Sequence, residues 1–459
     1  MQPDWAKEAI FYHIYPLGFC GAPQVNDHHA QPVPALEKIS SWIPHLKKMG
    51  INAMYLGPVF ESNTHGYDTA DYYHIDRRLG TTETLTRVIR DLHQANIRVI
   101  LDGVFNHVGR DFWAFRDVQQ NGQASPYCDW FEGLQFGKTS PNNDPFIYET
   151  WLGHYELVKL NLHNPQVRQH LMQAVSYWIQ EFEIDGLRLD TADCLDKNFQ
   201  HELSVLARTQ HPNFWLMGEV IHGDYRQWVN PDMLHSVTNY EAYKGLYSSL
   251  VEKNLFEIAY TLNREFGETG IYRDLTLYNF ADNHDVARVA SNLKNPALLY
   301  PLYCLLFSMP GNPSIYYGSE WGLEGELSKN SDWGLRPNLD LSTMENTSPQ
   351  PDLPVLIQKL ANIRQTCPPL FSGDYHQLLV NSEQLAFARQ VNGMTVIVQI
   401  NSSAETATFD LTSPFLTGKK LVDLLNHNEI FELKNGRLEN SVPPYWARIL
   451  CLENQSPQL

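Results

Sequence analysis

No apolar run in the 459 residues is long enough to span a bilayer. The opening residues, Met1-Gln2-Pro3-Asp4-Trp5, lack the basic start and apolar stretch of an export signal. Cysteine is scarce: Cys20, Cys128, Cys194, Cys304, Cys367 and Cys451 are scattered, with no close pair of the kind that holds zinc. Reduced, mostly buried thiols and a cytoplasmic location are therefore expected. Positive charge is under-represented, with 34 Lys and Arg against 52 Asp and Glu and a formal net charge of −18. That balance repels nucleic acid and anionic membrane surfaces, so a neutral partner is expected and neither of those. Repeats, low-complexity tracts and charged tails are also missing. What is there is globular: 43% hydrophobic and 19% charged, enough to build a core. The length exceeds one core of ordinary size and predicts two or three domains. Aromatics reach 12%, with 11 Trp and 23 Tyr; most belong to the core, but such faces also stack on the apolar faces of sugars.

Short β-branched runs alternate with amphipathic helical patterns. Strands are predicted at Ile10–Tyr15, Ile51–Leu56, Arg98–Asp102, Gly186–Asp190, Trp215–Val220, Leu234–Thr238, Leu275–Phe280 and Ser314–Tyr317. Between them, Leu36, Ile39, Ile43, Leu46 and Met49 recur at helical spacing with Gly50 as a stop. Leu85, Val88, Ile89 and Leu92 mark another helix, and Asn164-Pro165 reads as a cap and first turn. Eight β-then-α units predict a parallel (β/α)₈ TIM barrel over 1–107 and 161–370. A segment rich in Trp, Phe, Pro and Asn, 108–160, reads as an irregular inserted subdomain after the third strand. From 371 to 459 the pattern becomes strand-turn-strand, an all-β sandwich domain.

Catalytic groups of a barrel enzyme sit at the C-terminal ends of its strands. Here those ends carry Asp102, Asn106 and His107; Arg188 and Asp190; Glu219; and Asn283, His284 and Asp285. Singly, any of these is as readily an internal ion pair as a functional group. Together, Asp190, Glu219 and Asp285 bring three carboxylates to one barrel face, which is costly unless a cationic transition state needs them.

At this point the residues resemble the α-amylase superfamily of glycoside hydrolases, over nearly the whole chain. Four short blocks fall in the expected order on the expected strands, and Thr64-His65-Gly66-Tyr67-Asp68-Thr69-Ala70-Asp71 also fits. The resemblance implies a retaining hydrolase of α-glucosidic bonds. Asp190 would be the nucleophile and Glu219 the general acid/base, ~5–5.5 Å away. Asp285 would stabilise the transition state, and Arg188 would hold Asp190 ionised. His107 and His284 would donate to sugar hydroxyls, Tyr67 would stack on the sugar, and Asp102 would be a buried organiser. His65 and His222 would contribute to substrate binding. Asp332 and Arg336 would either bind sugars further from the cut or form a surface ion pair.

Within the superfamily the closest branch is that of neopullulanases and cyclomaltodextrinases, or a subfamily intermediate to it. Val158-Lys159-Leu160-Asn161 and Gly218-Glu219-Val220-Ile221-His222 resemble its blocks, with Val158 in place of proline and Ile221 in place of tryptophan. Two departures are that the first strand begins near Ala9, which leaves out that branch's extra N-terminal β-domain, and that Asn283-His284-Asp285 is closer to mainstream amylases. The expected substrates are maltooligosaccharides and cyclodextrins with α-1,4 linkages, with some α-1,6 cleavage. A transglycosylase using the same covalent intermediate is an alternative, as is a non-catalytic glucan-binding protein, although all three carboxylates are present. No cofactor is expected. Calcium, which links barrel and insert in typical α-amylases, is not expected to be required: Asn106 matches one ligand, but Cys194 stands where a histidine is usual, and a thiol suits a hard cation poorly.

Overall fold

The computed structural model describes residues 2–328, 331–416 and 418–455. Eight parallel strands form one sheet: β1 (Phe11–Ile14), β2 (Ala53–Leu56), β3 (Arg98–Gly103), β4 (Gly186–Leu189), β5 (Trp215–Gly218), β6 (Ser236–Val237), β7 (Tyr278–Phe280) and β8 (Asn312–Tyr316). Their spatial order is β6-β5-β4-β3-β2-β1-β8-β7. A single parallel bridge between Thr238 and Tyr278 closes the ring. Each predicted strand is present, but the sixth, expected over five residues, ladders over only two.

Successive residues on a strand face opposite ways. Phe11, Tyr55, Ile100, Trp215, Met217, Tyr278 and Phe280 therefore fill the barrel, while their neighbours, such as Tyr12, Met54, Val99 and Leu216, pack against the helices. Trp215 is the plug of this interior, stacked on Phe11 at 5.0 Å. Gly186 is required beside it, because a Cβ there would lie 2.5 Å from the Trp215 carbonyl.

The helices begin and end where local chemistry dictates. Thr81 caps Thr82–Gln94, Asn164 caps Pro165–Phe182 with Pro165 in the first turn, and Asp196 caps Lys197–Gln210. Glu37–Lys48 ends ahead of Gly50, whose φ of 75° suits glycine.

The insert is more regular than its composition suggests. It holds a helix, Trp113–Asn121, too short to print a long period in the sequence. A three-stranded sheet pairs His107–Gly109 with His154–Lys159, and Thr150–Trp151 with the same strand.

The C-terminal module has β9 (Asp374–Val380), β10 (Gln384–Val391), β11 (Met394–Asn401), β12 (Ala407–Thr412), β13 (Lys420–Asp423), β14 (Glu429–Glu432), β15 (Arg437–Val442) and β16 (Trp446–Leu452). An antiparallel sheet, β9-β10-β11-β16-β13-β14, faces the two-stranded ribbon β12-β15. Ala386, Ala388, Ile397 and Leu450 bury against Phe409, Leu411 and Leu438 of the ribbon. Leu385, Phe387, Val396, Val398 and Ile449, on the opposite face, join the core of the barrel. Between sheet and barrel lies the helix Leu299–Ser308, apolar on every side and buried at all positions except Tyr300. Two buried arginines tie this junction. Arg364 donates to the carbonyls of Phe307 and Leu370 at 2.9 and 2.8 Å, and Arg389 donates to those of Ser308 and Leu370 at 2.7 and 3.1 Å.

Candidate active site

The strand alternation that builds the barrel interior also delivers its polar rim. Two residues beyond Ile100 comes Asp102; Gly186 is followed inward by Arg188 and Asp190; Trp215 and Met217 are followed by Glu219. The loop after β7 adds Asn283, His284 and Asp285.

Arg188 is the hub of the site, with its side chain 3% exposed. Its Nη1 donates to Asp102 Oδ1 and to Asp190 Oδ1, each at 2.9 Å, and its Nη2 lies 2.8 Å from Glu219 Oε1. Asp102 sits behind it, fully buried, and accepts from Tyr55 Oη at 2.7 Å and Tyr67 Oη at 3.1 Å.

Burial pushes the Asp190 carboxyl well above the usual carboxylate range; Arg188 opposes this, and Glu219, Asp102 and Asp285 add to it. The Arg188 guanidinium, 2.9 Å from Asp190 Oδ1, is the group that favours the ionised form against that burial. Glu219 Oε2 accepts from the Thr191 N–H at 3.1 Å, and Tyr240 Oη donates to Glu219 Oε1 at 3.5 Å. Asn283 Nδ2 in turn donates to Tyr240 Oη at 3.2 Å.

Asp285 is the most open of the three carboxylates, its side chain 39% exposed. Its partial burial raises its pKa, but His284, 3.0 Å away, and Arg336, also at 3.0 Å, hold it below the ordinary range. Asn106 Nδ2 faces His107 Nδ1 at 3.2 Å, so the other ring nitrogen, Nε2, carries the hydrogen. That Nε2 is buried without a partner, 3.9 Å from Asp190 Oδ2. Burial pushes the His107 pKa down to about 3, which keeps the ring neutral.

Other expected contacts are placed differently. His284 Nε2 is engaged by Asp285 and Tyr67, while its Nδ1 is buried without a partner. Tyr67 stacks on His284, the ring centroids 5.4 Å apart. Arg336 is no surface ion pair: its side chain is 5% exposed and also donates to the His284 carbonyl at 3.1 Å. Asp332, 49% exposed and 3.4 Å from Arg336, marks the rim. His65 lines a neighbouring cleft, its Nδ1 3.9 Å from Asp68 Oδ1. His222 is exposed beside exposed Ile221 and makes no hydrogen bond among the described residues. The sequence reading missed Tyr55, Thr191 and Tyr240. Tyr55 lies two residues after inward-facing Ala53, a legible signal; Tyr240 follows β6, whose strand pattern is too brief to aim it.

Residues 14–346 match the alpha amylase catalytic domain, and residues 376–449 the maltogenic amylase C-terminal domain. The chain belongs to the alpha-amylase family. This family member is 31% identical to a cyclomaltodextrinase from a Bacillus species, across 91% of this chain and 76% of that one. It is equally 31% identical to neopullulanase 2 of Thermoactinomyces vulgaris, across 98% and 78% of the two. Among solved structures, the debranching enzyme of Nostoc punctiforme superimposes with a TM-score of 0.84 at 29% identity, covering 98% of this chain and 99% of that one. The cyclic alpha-maltosyl-(1→6)-maltose hydrolase of Arthrobacter globiformis gives 0.83 at 28%, covering 98% and 100%. The alpha-amylase family member described here is a glycoside hydrolase.

Proposed function

We propose that the protein hydrolyses α-1,4-glucosidic bonds, and to a lesser extent α-1,6 bonds, in small glucans such as maltooligosaccharides and cyclodextrins, by double displacement at Asp190 and Glu219. The observation that carries this reading is the single guanidinium of Arg188 reaching both carboxylates. Sharing one fork favours the closer spacing of a retaining pair, ~5–5.5 Å, over the wider gap of an inverting one. Asp190 attacks the anomeric carbon while Glu219 gives its proton to the departing oxygen. Glu219 then takes a proton from water as the glycosyl–Asp190 ester breaks. Asp285, held ionised, supports the positive charge that develops on the sugar. His107 Nε2–H is a donor without a protein partner beside the nucleophile, as a group that receives a sugar hydroxyl requires.

The relatives' names, which include cyclomaltodextrinase and neopullulanase 2, support the choice of small glucans and of both linkages. The test is a product profile on maltotriose, β-cyclodextrin, pullulan and soluble starch. The proposal expects maltotriose and cyclodextrin to be cleaved with higher kcat/KM than starch, and some cleavage of α-1,6 links. A preference for starch with a fast loss of iodine staining and little action on cyclodextrin would refute it.

The reading includes no metal. Cys194, four residues after Asp190, is an exposed thiol, and Asn106 directs its amide nitrogen at His107. The thiol does not favour calcium between barrel and insert. Activity and melting temperature are expected to survive EGTA; a large loss restored by calcium would overturn this part. A cytoplasmic location is proposed as well. It is supported by a relative named intracellular maltogenic amylase from Bacillus subtilis and by the lack, among the described residues, of a helix long and apolar enough to cross a membrane.

A further inference from the structure

The loop after β7 carries Asp285 and then, at Arg288, a charge for which the reaction has no direct use. Arg288 is fully buried. Its Nη1 donates to the Tyr317 carbonyl at 2.9 Å and to Ser319 Oγ at 3.1 Å, and its Nη2 donates to the Leu335 carbonyl at 2.9 Å. Among the described residues its Nε has no partner, and no carboxylate meets the guanidinium directly. A counter-charge is relayed by Ser319, whose Oγ donates to Asp282 Oδ2 at 2.8 Å. Taking a guanidinium out of water costs several kcal/mol, which neutral acceptors offset only in part. An apolar side chain of similar size would fill the space without that cost. It would not grip the loop after β8.

That grip converges on one peptide unit. The Leu335 carbonyl also accepts from Tyr316 Oη at 3.0 Å, and the Arg288 guanidinium lies over the Tyr316 ring, 4.5 Å from its centroid. The next residue is Arg336. Its Nη2 donates to Asp285 Oδ1 at 3.0 Å and its Nε to the His284 carbonyl at 3.1 Å. A ring of contacts therefore runs from Asp285 along the chain to Arg288, across to Leu335, and back through Arg336 to Asp285. Its far side is close-packed: the Arg288 N–H donates to the Gly325 carbonyl at 2.9 Å, and a Cβ on Gly325 would lie 3.0 Å from Arg288 Cδ. Arg336 has a competing partner in Asp332, 3.4 Å away and half exposed. With Leu335 free to shift, the Arg336 side chain would be shared between Asp285 and that rim carboxylate.

We propose that Arg288 is a positioning residue for the reaction: by holding the Leu335 carbonyl it fixes Arg336 against Asp285, so that this carboxylate meets the developing positive charge in one orientation. The proposal rests on the glycoside-hydrolase reading above. Arg288 acts only through Arg336 and Asp285.

The experiment is a double-mutant cycle on the full chain, with kcat and KM measured on maltotriose and a melting curve for each variant. Arg288→Lys keeps the charge, but one ammonium does not span the Tyr317 and Leu335 carbonyls as a fork does. It is expected to lower kcat about tenfold, with KM within about twofold of the parent. Arg336→Gln is expected to lower kcat further. Adding Arg288→Lys to it is expected to change kcat by no more than about twofold, because the side chain through which Arg288 acts is already gone. Tyr316→Phe removes only the other donor to Leu335. It is expected to lower kcat about threefold alone and not at all beside Arg336→Gln, and it decides the matter should Arg288→Lys fail to fold. Losses that multiply in the double variants, a loss carried by KM alone, or an unchanged kcat in the single variants would overturn the proposal and leave Arg288 a structural residue. An unmodified protein that releases no reducing sugar from maltotriose would instead count against the catalytic reading, so the two failures are read from different proteins.

Discussion

Asp190→Asn keeps the volume and most contacts of the side chain while removing the proposed nucleophile. Turnover of maltotriose is expected to fall at least about 10³-fold with an unchanged melting temperature. Glu219→Gln is expected to lose about 10²–10⁴-fold on the same sugar, yet far less on a substrate whose leaving group departs without a proton. Near-normal rates in Asp190→Asn would show the assignment to be wrong. Tyr240 is a subtler case. Its hydroxyl, held protonated by burial, donates to Glu219 Oε1. Tyr240→Phe removes one hydrogen bond worth ~1 kcal/mol and is expected to lower kcat about fivefold, with KM little changed and a displaced pH profile. At this scale the sequence was informative wherever a polar residue followed an apolar strand: Asp102, Arg188, Asp190 and Glu219 are the inward continuations of hydrophobic positions. It was silent where a side chain's partner is set by packing, as with His284, whose Nε2 turns to Asp285 and Tyr67, or Arg336, drawn inward beneath Asp285.

The helix Phe256–Phe266 carries a buried acid with no catalytic duty. Glu265 is fully buried, and burial pushes its pKa up to about 8. Its Oε2 accepts from Asn239 Nδ2 at 3.0 Å, and its Oε1 has no partner. The folded protein therefore binds this proton more tightly than the unfolded chain, whose glutamate titrates near 4.3. Its contribution to stability is complete in acid and is lost as pH rises from that range through about 8. Glu265→Gln is expected to flatten the decline by a few kcal/mol, read as denaturation midpoints at pH 5 and pH 8. An equal decline in both proteins would remove Glu265 as its source. Elements with a strong period were legible from sequence, including all eight strands and the helices Glu37–Lys48, Thr82–Gln94 and Pro165–Phe182. The helix Trp113–Asn121 was not, because nine residues bury only Ala114, Phe115 and Val118 and leave little periodic signal.

Across the molecule, the two modules share one core. The helix Leu299–Ser308 has no polar face to offer water once the C-terminal sheet is removed. A chain cut after residue 372 would also strip away Arg389 and leave the Ser308 carbonyl without its donor. Such a truncation is expected to be insoluble, or to bind a hydrophobic dye and melt without cooperativity; a soluble, sharply melting barrel would show the modules to be independent. The barrel itself is closed on seven sides by strand ladders and on the eighth by the one Thr238–Tyr278 bridge. The same seam carries the backbone bond from the Asn239 N–H to the Tyr278 carbonyl at 2.9 Å, and Asn239 Nδ2 donates to Asn279 Oδ1 at 3.0 Å and, at the same distance, to Glu265. In mechanical terms this is a split ring held by a clasp. Glu219 stands on one side of the split and Asp285 on the other, so a slackening clasp would spread the jaws before the ring itself came apart. Warming is therefore expected to silence the enzyme some degrees before its circular dichroism changes, with the amide hydrogens of Thr238 and Asn239 exchanging ahead of those in β2 and β3.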